Sequence, residues 1–94
     1  MRLYPDEKIA LEIALEEVED KVYLFGSRVN DNKKGGDIDI LIYSKENPLK
    51  LSQDVSMKFM MELDSKLDVV VFDKDNMTKE QKAFANTLNM IRIK

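Results

Sequence analysis

The chain has 94 residues, 44% hydrophobic and 35% charged, with fifteen Lys and Arg against eighteen Asp and Glu for a net charge of −3. It contains no cysteine and no histidine, which excludes disulfides, the usual zinc sites, Cys or Ser/His nucleophilic triads and histidine acid/base chemistry. The bases are scattered among the acids rather than gathered into the basic face that strong non-specific nucleic-acid binding needs, and no apolar run is long enough to cross a bilayer. The length suits one domain over residues 1–94. The opening MRLYPDEKIA lacks the apolar core of a signal peptide, so a cytoplasmic protein is expected. Two short basic stretches, NKK at 32–34 and RIK at 92–94, read as solubilising charge.

In chain order, Pro5, Asp6 and Glu7 suit a helix start, with proline in the first turn and acids at the positive end of the dipole. Leu11, Ala14, Leu15 and Val18 then repeat at i, i+3, i+4, i+7, which predicts a helix over about 6–19 packed on a sheet. KVYLF, from Lys21 to Phe25, is an apolar run stopped by Gly26 and reads as a central strand. RVNDNKKGG is a polar loop, or a short frayed helix. DIDILIY, from Asp37 to Tyr43, is a second strand.

From Pro48 to Leu63, Leu51, Val55, Phe59 and Leu63 recur at helical spacing, with Ser52 as a candidate cap. Met57, Met60 and Met61 are expected to fill the core. KLDVVVF is a β-branched third strand. Thr78 and Gln81 stand at capping-box spacing and Phe84, Leu88 and Ile91 continue one stripe, predicting a last helix over about 79–90. The whole reads as an α/β protein of the α+β type: a small mixed sheet of at least three strands flanked by about four helices.

The residues that carry chemistry are the acids of the second strand. Residues two apart in a strand point to one face, so Asp37 and Asp39 project together about 6.6 Å apart while Ile38, Ile40 and Ile42 face the core. Like charges there are disfavoured unless a cation sits between them. Gly26 and Ser27, directly after a strand, free the backbone to aim N–H groups and a hydroxyl at a phosphate. No Walker or three-glycine dinucleotide pattern is present. Asp68 opens the third strand, and beside the second strand it would bring three carboxylates to one sheet edge. Oxygen donors without His or Cys select magnesium or manganese. Asp73 and Asp75 begin like a calcium loop, but Met77, Thr78 and Phe84 stand where ligands and glycine are needed.

This combination, Gly26-Ser27, then Asp37-Ile38-Asp39-Ile40, then Leu67-Asp68-Val69-Val70, resembles the minimal nucleotidyltransferases of the DNA polymerase beta superfamily, the kind often encoded beside HEPN-domain toxins. Arg28 is kept, but Val29, Asn30 and Asp31 follow it and Gly36 stands in place of a serine; Lys33 or Lys34 could restore phosphate-binding charge. The resemblance implies that Asp37, Asp39 and Asp68 hold Mg2+ or Mn2+, with Asp68 also able to take the nucleophile's proton. It further implies that Gly26, Ser27, Arg28 and Gly36 bind the nucleotide. The implied reaction is attack of a hydroxyl on the α-phosphorus of a nucleoside triphosphate, moving AMP from ATP to a partner such as a HEPN toxin. A catalytically weak antitoxin-like binding module, transfer to a small molecule or RNA end, and a homo-oligomer all remain open at this stage.

Overall fold

A computed structural model describes residues 1–32 and 36–94. In chain order it contains α1 (Pro5–Ala14), β1 (Val22–Phe25), a 3-10 turn (Gly26–Val29), β2 (Ile38–Tyr43), α2 (Pro48–Leu63), β3 (Leu67–Phe72), α3 (Lys79–Thr87) and β4 (Ile91–Arg92). The strands form one mixed sheet in the order β3-β2-β1-β4. β1 pairs antiparallel with β2 and with β4, whereas β2 and β3 run parallel, with α2 as the crossover between them. A parallel pair needs such a crossover, because no tight turn can return a strand to the same end of the sheet.

Alternation along the strands divides the side chains between two faces. Val22, Leu24, Ile38, Ile40, Ile42, Leu67 and Val71 form one buried cluster with Ala10, Leu11 and Ala14 of α1, Leu15 just after it, and Val55 and Phe59 of α2. Each large side chain buried this fully contributes about 1.5–3 kcal/mol. On the other face lie Phe25, Leu41 and Phe72; α3 sets the Phe84 ring edge-on to both phenylalanines, at centroid distances of 6.0 and 6.1 Å. Asp39 and Asp68, two residues before Leu41 and Val70, belong to this second face.

Several sequence expectations change in the structure. The first helix ends at Ala14 rather than about residue 19 and continues as turns through Glu17. Glu16, Glu17, Glu19 and Asp20 would place four acids at the negative end of the dipole. A lysine from the far end of the chain serves there instead: Lys94 Nζ donates to the Leu15 carbonyl. Asn47, not Ser52, caps α2, its side chain accepting from Lys50 N at 3.0 Å, while Ser52 donates to the Leu49 carbonyl.

Met57, Met60 and Met61 do not fill the core. They are 63%, 50% and 81% exposed, because Leu51, Val55, Phe59 and Leu63 already occupy the one arc of α2 that faces the sheet. The last helix stops at Thr87, and Ile91 belongs to a strand rather than to a helical stripe. The free edge of β1 decides this. Ile93 N donates to the Val22 carbonyl at 2.9 Å and Val22 N to the Lys94 carbonyl at 3.1 Å, satisfying backbone groups that a longer helix would leave unpaired. Among the described residues there are thus three α-helices and one 3-10 turn, and four strands. No helix among them is long and apolar enough to cross a membrane.

Candidate active site

The site begins where β1 ends. Gly26 has φ +78°, and a Cβ there would run into the Asp39 carboxylate. Glycine therefore serves two purposes at this point: it adopts a conformation that L side chains rarely take, and it lets the carboxylate lie against the turn. Gly36, at φ +89°, is the counterpart across the loop, where a Cβ would come within 2.5 Å of Ser27 Oγ. The two glycines leave space beside one carboxylate and one hydroxyl.

Arg28 fastens this turn from behind. Its guanidinium makes a bidentate pair with Glu7 of α1, at 2.6 and 2.8 Å. It also donates from Nε to the Gly36 carbonyl at 3.0 Å and from Nη1 to the Arg2 carbonyl at 3.1 Å. With Arg28 only 6% exposed and most of its N–H groups directed at protein oxygens, its geometry suits holding Gly26–Val29 and Gly36 in register rather than reaching a nucleotide. Lys33 and Lys34 lie outside the described residues.

The acids arrive from the parallel pair. The β2–β3 register sets Asp39 directly beside Asp68, at the strand ends next to the turn. Asp37 precedes β2 instead of lying in it and is exposed. Burial first, and then the charges of Asp68 and Asp37, hold the Asp39 carboxyl above its ordinary range. Lys66 is the side chain that the sequence reading missed. Its ammonium lies 3.2 Å from Asp68 Oδ1, and the three aspartates, Asp68 foremost, raise its pKa. Its position two residues before Asp68 was the available signal, since that spacing puts both on one face.

Among the described residues no three acids are gathered closely enough to hold one metal ion: the register brings Asp39 and Asp68 together, and Asp37, one residue before β2, is near enough for its charge to act on Asp39. The donor set nevertheless fits a hard divalent cation. It consists of carboxylate oxygens only, and one carboxyl is pushed up by burial and then by its acidic neighbours. A cavity of about 660 Å³ lies at the other end of β2, lined among others by Tyr43, Lys45 and Asp73, and contains none of these residues.

Two results are expected from this geometry. Gly26→Ala should destabilise the fold by about 1–3 kcal/mol, from positive φ and from the displaced carboxylate. In a double-mutant cycle, part of that cost should vanish when Asp39 is also shortened to Ala; strictly additive melting shifts would mean that the two do not touch. Lys66→Met removes a cation that lowers the Asp39 pKa, so the Asp39 carboxyl resonance in a metal-free NMR titration should move its midpoint upward. An unchanged midpoint would remove Lys66 from the cluster.

A family model described as Polymerase beta, Nucleotidyltransferase matches residues 7–91. A comparison with curated proteins found no match. The matched span runs from the glutamate that holds Arg28, through the glycine turn and both strand aspartates, to the first residue of β4. With nearly the whole chain covered and the strand–turn–strand arrangement in place, this chain belongs to the polymerase beta nucleotidyltransferase family.

Proposed function

We propose that the chain transfers a nucleotidyl group, AMP from ATP, to a hydroxyl on a partner protein, the HEPN-type neighbour of resembling proteins being the first candidate. One observation carries this reading: Asp39 and Asp68 stand side by side in parallel register, with the Asp39 carboxylate packed directly against the glycine turn that follows β1. Asp37, Asp39 and Asp68 would hold Mg2+ or Mn2+. Bound there, divalent ions stabilise the attacking and leaving oxygens of an in-line displacement at phosphorus.

The chain's own groups do the rest. Ser27 Oγ and the backbone N–H groups of the turn face the β and γ phosphates, while Arg28 keeps Gly36 and the turn in place. Asp68, at the edge of the carboxylate pair, accepts the proton of the attacking hydroxyl. The acceptor oxygen bonds to the α-phosphorus as the bond to the bridging oxygen breaks, and pyrophosphate departs. Lys66, exposed at the rim beside Asp68, would offer its charge to the phosphates.

A second reading, a binding module of this fold without catalysis, is favoured by the lack of a closed three-acid cluster among the described residues. The test is to incubate the protein with α-labelled ATP, magnesium and the product of the adjacent gene. Label on the acceptor with an equal release of pyrophosphate is expected. Nucleotide binding with no transfer from any of the four triphosphates would leave the second reading standing.

A further inference from the structure

An apolar feature left unused lies on the sheet face opposite the aspartates. α1 and α2 both cover the sheet face opposite Asp39 and Asp68. Their outward arcs carry Ile9 and Ile13 on α1, and Leu49, Met57, Met60 and Met61 on α2, from 38% to 81% exposed. The Lys58–Glu17 ion pair, at 3.2 Å, ties the two segments side by side. Ile13 lies one turn before Glu17, and Met57 and Met61 flank Lys58, so apolar residues of both helices fall within about one turn of that bridge. An apolar patch on this scale marks an interaction surface, and methionine is the side chain best able to mould itself to a partner.

The surrounding charge identifies the partner. Residues 5–20 and 48–64 carry ten acids and three lysines, although the whole chain is only −3. One of the ten, Glu7, is consumed by Arg28 inside the fold; Glu16 and Asp54 are among those exposed on the two segments, while Glu12 lies on the β4 side of α1 with Lys8, Arg92 and Lys94. An acidic excess of this kind over the two helical segments repels nucleic acid, an anionic membrane and a second copy of itself, and it attracts cations. Because the face is helical, with its backbone bonded internally, it offers no strand edge to extend. An occupant must satisfy its own N–H and C=O groups, as a helix does.

We infer that the outer face of α1 and α2 docks a basic amphipathic helix of a partner protein, an apolar stripe against Ile13, Met57 and Met61 and lysines or arginines against the acidic rim. The inference does not depend on catalysis by the aspartates. It places the partner's anchor behind the sheet, so docking leaves the carboxylates and the phosphate turn open.

The test uses two labelled synthetic helical peptides of about sixteen residues with the same leucine stripe, one flanked by lysine and arginine and the other by glutamate, titrated into the full chain by fluorescence anisotropy. The basic peptide alone should bind, more weakly as salt rises. Its affinity should fall at least about tenfold in a Met57→Ser/Met61→Ser variant, and also in Glu16→Lys/Asp54→Lys, with melting temperature and magnesium-nucleotide affinity unchanged. Equal binding of both peptides, binding of neither, or binding insensitive to the methionine pair overturns the proposal. So does dimerisation of the chain alone that the methionine variant abolishes, since the occupant would then be a second copy.

Discussion

Replacing Arg28 with methionine is expected to destabilise the protein by about 3–5 kcal/mol, the cost of leaving a buried charge without its partner. At about 4–8 °C per kcal/mol for a domain of this size, the melting temperature should drop by about 12 °C or more. The Glu7 side chain is only 10% exposed, and its carboxylate would lose both hydrogen bonds from the guanidinium, while the Gly36 and Arg2 carbonyls would each lose one. A Glu7→Leu/Arg28→Met double variant should recover most of the loss, because an apolar pair of similar volume incurs no charge desolvation. Urea unfolding of the four proteins measures the coupling. Near-equal stability of Arg28→Met and wild type would show that the pair is ornamental.

The same pair makes a signed pH prediction. The hydrogen bond from Arg28 is the largest influence on the Glu7 carboxyl and holds it below its usual value near 4.5, against the opposing effect of burial. The stabilisation is therefore fully present above the unfolded value and is lost as pH falls through the lowered folded one. Arg28→Met should lack this acid limb. An identical acid-unfolding profile in variant and wild type would rule the pair out as its source.

Asp39→Asn should separate stability from function. Its transfer activity with magnesium, ATP and the correct acceptor should fall by about 100-fold or more, the scale on which a single preorganised electrostatic contact acts. The metal-free variant should nevertheless be at least as stable as wild type, since the raised Asp39 pKa reflects burial and then repulsion from Asp68 and Asp37. The sign is opposite to that of Glu7: metal-free wild type should gain stability as pH falls through the raised folded value toward the unfolded value near 3.8, and the variant should lack that gain.

Magnesium with a non-hydrolysable nucleotide should then reverse the order of the two proteins. A ligand at about a hundred times its dissociation constant stabilises the native state by about 2.7 kcal/mol, and wild type alone has the carboxylate to receive it. Four melting curves decide the matter. A metal-free variant clearly less stable than wild type would make Asp39 a structural hydrogen-bonding residue.

Within one segment, the sequence by itself determined most of this protein. The Ile38, Ile40 and Ile42 face, the α2 stripe through Val55 and Phe59, the Thr78–Gln81 cap and the three strand cores were legible because period and capping chemistry are local properties of the chain. Gly26-Ser27, the DxD pair and Asp68 were legible as types, and their order carried the family resemblance. The tertiary structure decided what those residues meet. Only the parallel register puts Asp39 beside Asp68, only chain folding brings Glu7 to Arg28 and sets that guanidinium to fastening the turn, and only the open edge of β1 recruits Ile91 into a strand. The methionines of α2 show the reason most plainly. A helical stripe states which residues can share a face, but the core that excludes Met57 and Met61 exists only once the sheet has taken the opposite arc, and that competition for one buried surface is not written in any local pattern.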